Sequence, residues 1–470
     1  MHSPTASPQK RNAPAAEGAP AAEDAIDAAE AEPLLREWLD RGALIAVSGG
    51  PDSLALLALA AEIAAHRGAP APQAFTFDHG LRAESAAEAR MVGDVCTRLH
   101  LRHHVRRWEA AERPQSGIAA AARLARYAAA IEVATRAGCR AILTAHHADD
   151  QAETVLMRMA RTAEPRALKG IEAALRREGW PTIARPFLQF SKARLRLSAE
   201  ARKLPFCDDP TNSDPAQERA RVRLAAPELS AIGLTAERLA DFAAREGHIH
   251  QMFERAALQA AESATVSEAG AITILRPASV RREMEFEVWL ALLRRLLMAA
   301  SGRVATPSRE ALVSLDERLS AMVGGGGSLV ATLHGARLDL REDRLVVSRE
   351  WGRQGPDDCV FAAGRDVVFD GRYIVAPHAL AGEDARVRGF GRCGRGNAFE
   401  RTMPALFAED TCIAVPPLLA AKGDAGCRTD LGIRQIVDDR LCDPHIGGLY
   451  DRLMVENRLP PRPAEMHNIN

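Results

Sequence analysis

The sequence predicts an α/β fold built on a doubly wound parallel sheet, followed by a helical domain and a small mixed C-terminal domain that contains β-strands. Two observations lead to this prediction. From residue 43 to about 161, short apolar segments of strand length alternate with longer segments of helix length. Strands that alternate with helices pair in parallel through right-handed crossovers, and the helices cover both faces of the sheet. After residue 186 the alternation stops, so the rest of the chain folds differently.

Four strand–helix pairs are predicted in the first domain, which we expect to span residues 36–227. The strands are predicted at 43–47, 73–77, 103–108 and 140–144. The helices are predicted at 54–66, 83–99, 118–137 and 150–161. Polar clusters follow the first, second and fourth strands. Because ligands of such sheets bind beyond the carboxyl ends of the strands, we expect the functional site at that edge.

The remaining chain is predicted to form three regions. Residues 185–223 are basic and are expected to be rich in loops, and Thr235 opens an amphipathic helix in a helical domain expected over 228–328. The glycine-rich segment at 324–328 predicts a flexible joint. A small C-terminal domain is expected over 329–420, with strands at 329–333, 337–340, 344–347, 367–369 and 412–415. The tail over 421–470 gives no clear pattern.

Composition and charge restrict the class of protein. The chain has 470 residues, 47% hydrophobic and 26% charged, with a formal net charge of -1, which excludes a globally basic nucleic-acid coat protein but not a local basic face. None of the apolar runs approaches ~20 residues, so neither a transmembrane helix nor a membrane partner is expected. Residues 1–35 are rich in Ala, Pro and Glu, lack the features of a secretory signal, and are expected to be a disordered extension.

The eight cysteines are expected to be free thiols. None of them belongs to a C-x-x-C pair, which weakens an interpretation as a zinc or iron–sulfur site. Scattered thiols in a chain of this length are typical of a reducing cytoplasm, which is the expected location.

The strongest chemical signal lies between the first strand and the first helix, in the string Ser48-Gly49-Gly50-Pro51-Asp52-Ser53. Two glycines let the backbone approach a ligand, and the helix that follows offers free N–H groups and the positive end of its dipole. This combination predicts an anion cradle suited to phosphate, with serine hydroxyls as further donors. Asp52 is a carboxylate of the type that holds Mg²⁺ against phosphates. The structural alternative is a plain capped turn.

Three further strings carry candidate functional residues. Asp78-His79-Gly80-Leu81-Arg82 ends the second strand, and Arg123, Arg126 and Tyr127 lie close together on the third helix. Two histidines, two aspartates and a glutamate crowd the end of the fourth strand, at His146, His147, Asp149, Asp150 and Glu153. This last cluster suits acid–base and substrate-orienting roles. A divalent metal site and helix capping by one aspartate are the alternatives.

The string S-G-G-x-D-S is the signature of the PP-loop ATP pyrophosphatase family, which has an adenine nucleotide alpha hydrolase-like fold. In their order and spacing the four strings resemble the tRNA(Ile)-lysidine synthase family over about residues 40–228, and further matching segments begin at Arg185, Asp209 and Arg219. A weaker resemblance lies at 401–406 and 413–416. The sequence departs from the family pattern at 161–166, where a Gly/Ser-rich turn is usual, at Ala220, where Asn is usual, and near Leu197, where a Tyr is usual.

The resemblance implies a two-step ligation with ATP and Mg²⁺ as cofactors and with free L-lysine and the isoleucine tRNA bearing a CAU anticodon as partners. The wobble cytosine attacks the α-phosphate of ATP, and the lysine ε-amine then attacks C2 and displaces AMP. The lysidine that forms pairs with A, so decoding changes from AUG to AUA. The catalytic residues implied are Asp52, His146, Asp150, Arg123 and Arg126. The ATP-binding residues implied are Ser48, Gly49, Gly50, Pro51, Asp52 and Ser53, with Asp52 as the metal ligand. The substrate-binding residues implied are Asp78, His79, Arg82, His147, Asp149, Glu153, Arg219 and Arg223.

The roles within the site stay open at two points. The lysine amine has an ordinary pKa of about 10.4 and must lose a proton before it attacks, and either Asp150 or Asp149 is a candidate base. Either His146 or His147 would orient the cytosine ring or the phosphate. Two other functions are alternatives: another PP-loop tRNA-modifying enzyme such as a tRNA thiolase, which usually has paired cysteines, and a non-catalytic nucleotide- or tRNA-binding module. The sequence is compatible with an oligomer.

Overall fold

A computed structural model of the chain describes residues 24–80, 84–109, 113–162, 164–177, 179–207, 218–323, 327–341, 343–360, 366–382, 384–423, 426–443, 451 and 453–454. Within these ranges no helix is both long and apolar enough to cross a membrane.

The first half of the chain forms a six-stranded sheet in the order β3-β2-β1-β4-β6-β5. Its strands are β1 (Ala43–Ala46), β2 (Gln73–Asp78), β3 (His103–Arg107), β4 (Ala141–Leu143), β5 (Ala174–Leu175) and β6 (Thr182–Ala184). All neighbouring strands are parallel except β5, which is antiparallel to β6. The helices are α1 (Ala28–Asp40), α2 (Pro51–Arg67), α3 (Ser85–Arg98), α4 (Ile118–Arg136), α5 (Ala148–Met159), α6 (Pro165–Leu168) and α7 (Lys192–Ala201).

Helices cover both faces of this sheet because successive residues of a strand point to opposite sides. Ala43 and Ile45 of β1 belong to a core with α1, α2 and α7, whereas Leu44 belongs to a separate core with α4. The predicted doubly wound sheet is therefore confirmed. The edge formed by the carboxyl ends of β1, β2 and β4 carries the loops in which the sequence places its polar clusters.

The second half of the chain contains longer helices and three antiparallel sheets. The helices are α8 (Glu218–Ala231), α9 (Ala236–Ala261), α10 (Pro277–Glu283), α11 (Phe286–Ser301), α12 (Arg309–Val323) and α13 (Val437–Leu441). One sheet has the order β7-β8-β11-β10-β9, with β7 (Thr265–Val266), β8 (Ile272–Leu275), β9 (Leu329–Leu333), β10 (Ala336–Arg341) and β11 (Arg344–Arg349). The buried helix α11 packs on this sheet and on α9.

The other two sheets complete the C-terminal region. One has the order β12-β15-β16-β17, with β12 (Cys359–Val360), β15 (Ala385–Gly389), β16 (Pro404–Ala408) and β17 (Thr411–Ala414). The other has the order β13-β14-β18, with β13 (Val367–Phe369), β14 (Tyr373–Val375) and β18 (Ile433–Gln435). Both sheets contribute side chains to a single core, so they pack as one unit.

The structure corrects the expected disordered extension over residues 1–35. Residues 28–35 lie in α1, where Asp27 accepts a hydrogen bond from the Glu30 N–H as the helix cap. Ile26 and Leu35 are fully buried against the first core. Burial of this apolar face outweighs the Ala/Glu-rich composition, which by itself does not predict packing. Residues 1–23 lie outside the described residues.

Further expectations also differ from the structure. The basic segment 185–223, expected to be rich in loops, contains α7, which Ser191 caps by accepting from the Arg194 N–H. The expected helical domain contains β7 and β8, and β8 pairs with β11 across the expected boundary at 328/329. The boundary at 227/228 falls inside α8, and β18 of the expected tail pairs with β14. Short strands such as these carry little local signal, because distant partners stabilise them.

Candidate active site

The loop between β1 and α2 is shaped by its glycines and by two serines. Gly49 has φ +90°, and a Cβ there would lie 3.3 Å from Cε of Met91, so the position favours glycine twice over. Ser53 Oγ accepts a hydrogen bond from the Ser48 N–H and donates one to the Gly50 carbonyl. Gly50 is the N-cap of α2 and supplies no capping side chain. The first N–H groups of α2 therefore keep their capacity to bind an anion.

This loop forms one wall of a cavity of about 710 Å³ at the carboxyl edge of the sheet. The polar residues that line it come from β2, α2, α3, α4, α5, α7, α8 and the loops between strands and helices. They are Ser48, Asp52, Ser53, Thr76, His79, Ser85, Glu88, Arg123, Arg126, Tyr127, Thr144, His146, His147, Asp150, Lys192, Cys207, Arg219 and Arg223. Most of the predicted site residues thus share one cavity, which is large enough for a nucleotide and part of a second substrate.

Asp52 lies at the start of α2 with its carboxylate mostly buried. Its Oδ1 atom is buried without a hydrogen-bond partner, and its Oδ2 atom lies 3.7 Å from Nε2 of His147. Burial raises the pKa of Asp52, although the charges of His147 and Lys192 oppose this shift. An orphaned carboxylate oxygen beside an anion cradle suits a divalent cation, because Mg²⁺ is commonly held by one or two carboxylates together with phosphates. Among the described residues no group of three or more side chains could hold a metal ion, so the alternative of a protein-only metal site is not supported.

The two adjacent aspartates after the fourth strand have different surroundings. His147 caps α5 by accepting from the Asp150 N–H, and the Asp150 carboxylate accepts from the His147 N–H. Asp149 Oδ2 accepts from the Lys192 N–H at 2.7 Å, so it joins α5 to the start of α7. Asp150 lines the cavity, whereas Asp149 does not belong to its lining. Burial would lower the pKa of His147, but a hydrogen bond to Asp149 and the charges of Asp150 and Asp52 raise it overall.

A second wall of the cavity is strongly positive. The Arg123 and Arg126 guanidinium groups lie 5.1 and 5.5 Å from the ring centre of Tyr127. Tyr127 is buried, and the charges of Arg185, Arg123 and Arg126 outweigh its burial and lower its pKa to about 8. Burial and these same arginines hold the pKa of His146 well below its usual value, so His146 is neutral near pH 7. Its Nδ1 atom is hydrogen-bonded to the Thr144 hydroxyl at 2.8 Å.

The basic residues of α8 reach the cavity from the other side. Arg219 and Arg223 lie one helical turn apart and both line it. Arg223 donates to both carboxylate oxygens of Glu153, at 2.5 and 3.2 Å. Glu153 is buried within α5, so this bidentate pair fixes the position of α8 against the cluster at the fourth strand.

The polar turn after β2 is only partly in the cavity. His79 lines the cavity, but Asp78 is buried and forms hydrogen bonds within the turn. Asp78 Oδ1 accepts from the Ser85 hydroxyl at 2.6 Å and from the Gly80 N–H at 2.8 Å. These bonds outweigh its burial and lower the pKa of Asp78. Arg82 lies outside the described residues.

Several lining or supporting residues were not predicted, among them Lys192, Glu88, Cys207 and Arg185. Lys192 reaches the cavity from the first residue of α7, a helix that the sequence analysis did not anticipate. The Cys207 N–H donates to the Gly49 carbonyl at 3.0 Å, which brings a distant segment beside the loop. Ser191 is a favoured N-cap residue type and could have indicated the start of α7 at Lys192. The placement of Cys207 has no such local signal.

The chain is similar in sequence to known proteins. Residues 24–229 match the family model of a PP-loop domain. A tRNA(Ile)-lysidine synthase of Bradyrhizobium sp. strain BTAi1 is 41% identical over 345 residues, 69% of this chain and 94% of that protein. One of Methylobacterium sp. strain 4-46 is 39% identical over 334 residues, 69% of this chain and 95% of that protein. A solved U34-tRNA thiolase from Methanococcus maripaludis aligns with a TM-score of 0.40 at 15% identity, over 47% of this chain and 78% of its own.

Proposed function

The chain belongs to the tRNA(Ile)-lysidine synthase family, and on that premise we propose that it joins free lysine to C2 of the wobble cytidine in the isoleucine tRNA with a CAU anticodon. It is an ATP-dependent ligase with a PP-loop domain. The observation that carries the proposal is the single cavity shared by the phosphate cradle, the cluster after the fourth strand and the arginines of α8. A two-step ligation needs all three around one intermediate.

The loop at 48–53 and the positive wall suit the first step, in which the cytosine 2-oxygen attacks the α-phosphate and pyrophosphate leaves. The free N–H groups at the start of α2 would hold phosphate oxygens. Arg123 and Arg126 form no ion pair with a described carboxylate and face the cavity, so their guanidinium groups are available to the charge that develops on the transferring phosphate. Asp52 would hold Mg²⁺, which when bound supplies charge neutralisation at the phosphates.

Asp150 suits the second step, in which the lysine ε-amine attacks C2 and AMP leaves. The amine must first lose a proton, and the acceptor must reach the cavity. Asp150 lines it, whereas Asp149 is engaged by the start of α7. We therefore assign Asp150 as the base. His146, which is neutral, would orient the cytosine or the phosphate by a hydrogen bond without adding charge.

The tRNA-facing roles rest on α8 and on the turn after β2. Arg219 and Arg223 would contact the anticodon loop where its wobble base enters, and their position in the cavity lining supports this role. A base in a single-stranded loop can be splayed into a pocket without melting a duplex. His147 and His79 would contribute to the walls that contact lysine or the cytosine, whereas the buried Glu153 would act by holding Arg223 in place. The chain lacks a C-x-x-C pair, so the alternative of a tRNA thiolase has no support from the residues present.

The test measures two products of one reaction: pyrophosphate release and incorporation of labelled lysine into total tRNA. The wild-type protein should give both, and both should depend on ATP and tRNA. Asp52→Asn should reduce pyrophosphate release by at least ~100-fold, the scale of removing one electrostatic contact to a transition state. Glu62→Gln, which changes an exposed carboxylate of the same helix, should leave both products unchanged.

Three results would overturn parts of the proposal. Near-normal pyrophosphate release by Asp52→Asn would remove its assigned role at the phosphates. Sulfur incorporation instead of lysine incorporation would make the chain a thiolase, and neither incorporation would make it a binding module.

A further inference from the structure

Three of the eight cysteines meet in the C-terminal sheet that contains β17, far along the chain from the candidate active site. Cys412 lies in β17 and is only 8% exposed. Its Sγ atom lies 3.7 Å from Sγ of Cys427, which is half-buried. Cys393 contributes a third thiol, which hydrogen-bonds Cys412. None of the cysteines is in a disulfide, and the proposed ligase reaction uses none of these three thiols.

The backbone holds the segments of the two cysteines side by side. Ala414 and Arg428 form a parallel bridge, in which the Arg428 N–H donates to the Ile413 carbonyl at 3.0 Å. Cys412 and Cys427 stand just before that bridge on adjacent segments. In this parallel register Cys427 stands opposite Ile413, so Cys412 is offset from it by one residue on the adjacent strand. The two sulfurs are 3.7 Å apart, so a bond of about 2.05 Å requires them to approach by roughly 1.7 Å.

A shared metal ion is the other chemistry that clustered thiols support, and the structure does not favour it. Three thiolates and a fourth ligand in tetrahedral arrangement would be needed for zinc. Among the residues with described positions, no group of three or more potential ligands is arranged to hold a metal ion. We propose that Cys412 and Cys427 form a reversible disulfide when a hydroperoxide oxidises the protein, which makes this part of the C-terminal sheet an oxidation site.

The difference in exposure sets the order of the two steps. Burial and the neighbouring thiols raise the pKa of Cys412, so the more exposed Cys427 reacts first. Its thiolate attacks one oxygen of hydrogen peroxide, the O–O bond breaks, and hydroxide leaves and takes up a proton. The sulfur of Cys412 then gives up its proton and attacks the sulfenic sulfur of Cys427, so that the S–S bond forms as the S–O bond breaks and water leaves. Overall, two thiols lose two electrons and two protons, and one peroxide becomes two waters.

Trypsin separates the three thiols, so the experiment is direct. Cleavage after Arg and Lys places Cys393, Cys412 and Cys427 on the separate peptides 393–395, 402–422 and 423–428. The full-length protein is reduced, treated with hydrogen peroxide, alkylated with iodoacetamide, digested and analysed by mass spectrometry. We expect the peptides 402–422 and 423–428 to be joined, with a mass two hydrogen atoms below their sum, and to separate on treatment with dithiothreitol.

Matched variants make the result specific. Cys427→Ser should abolish the joined peptide, whereas Cys442→Ser, which removes an exposed thiol elsewhere, should leave it unchanged. The proposal is overturned if Cys412 and Cys427 both remain open to alkylation after oxidation. It is equally overturned if Cys412 is joined to Cys393, or if the two sulfurs are oxidised separately to sulfinic or sulfonic acids.

Discussion

Replacing His250 by glutamine should make the protein less sensitive to acid. His250 lies on α9 with its side chain 12% exposed, and its Nε2 atom is 3.8 Å from Glu254. Burial lowers its pKa to about 4, and the charges of Lys169, Arg294 and Arg166 add to this, while Glu254 opposes it. The folded chain therefore binds this proton less readily than the unfolded chain, whose histidine has a pKa of about 6.5.

The sign and size of the effect follow from linkage between protonation and folding. Above about pH 6.5 His250 is mostly neutral in both the folded and the unfolded chain, so its burial costs no protonation free energy. As the pH falls toward 4 the unfolded state gains the proton first, and the penalty grows to ~3 kcal/mol, because one pKa unit corresponds to about 1.36 kcal/mol. At pH 5 it is ~2 kcal/mol, which corresponds to a shift of roughly 4–8 °C in the unfolding midpoint.

The assay compares the fall in the thermal unfolding midpoint between pH 7 and pH 5. This fall should be smaller in His250→Gln than in the wild type by about 4–8 °C. Taking the difference between two pH values cancels any loss of packing that does not depend on pH. The exposed His66 on α2 supplies the control. The unfolding midpoint of His66→Gln should fall between pH 7 and pH 5 by as much as that of the wild type. Equal falls in His250→Gln and the wild type would refute the reasoning.

Three further changes have defined outcomes. Asp451→Asn leaves the fully buried Arg440 without its partner carboxylate, so the unfolding midpoint in calorimetry should fall by roughly 6–20 °C, and an unchanged midpoint would contradict this. Arg223→Lys replaces a two-point contact with Glu153 by a single one, so kcat/KM for lysine should fall about tenfold, with equal values counting against the role of this pair. Lys192→Gln removes a positive charge beside the loop at 48–53, so KM for ATP should rise about tenfold, and an unaltered KM would exclude a phosphate contact.

The first half of the fold could be predicted because its signals are local. A buried parallel strand is a continuous apolar run, and β1 and β4 show this directly in the sequence. Strands β7 and β8 could not be predicted in the same way. They are short, and β8 is held by β11, about 70 residues further along the chain. Helix α1 was missed for a related reason, since its composition is that of a disordered segment and only packing against α2 makes it ordered.

The residue types of the candidate site could be predicted from the sequence, but the separate roles of similar residues could not. Asp149 and Asp150 are adjacent and chemically alike in the sequence. What separates them is α7, whose first N–H group engages Asp149 and leaves Asp150 at the cavity. Asp78 shows the reverse case, because a residue predicted to bind substrate is occupied by its own turn. Such differences depend on elements brought together from distant parts of the chain.

The distribution of arginine explains how a chain with a net charge of -1 can hold a polyanionic substrate. Many of its arginines are neutralised locally, as in the pairs Arg309–Glu287 and Arg440–Asp451. Arg123 and Arg126 are different, since among the described residues neither forms an ion pair with a carboxylate, and both stack on Tyr127 instead. A cation over an aromatic ring keeps its full charge. Arg123 and Arg126 therefore bring positive charge to the cavity, which a net charge cannot reveal.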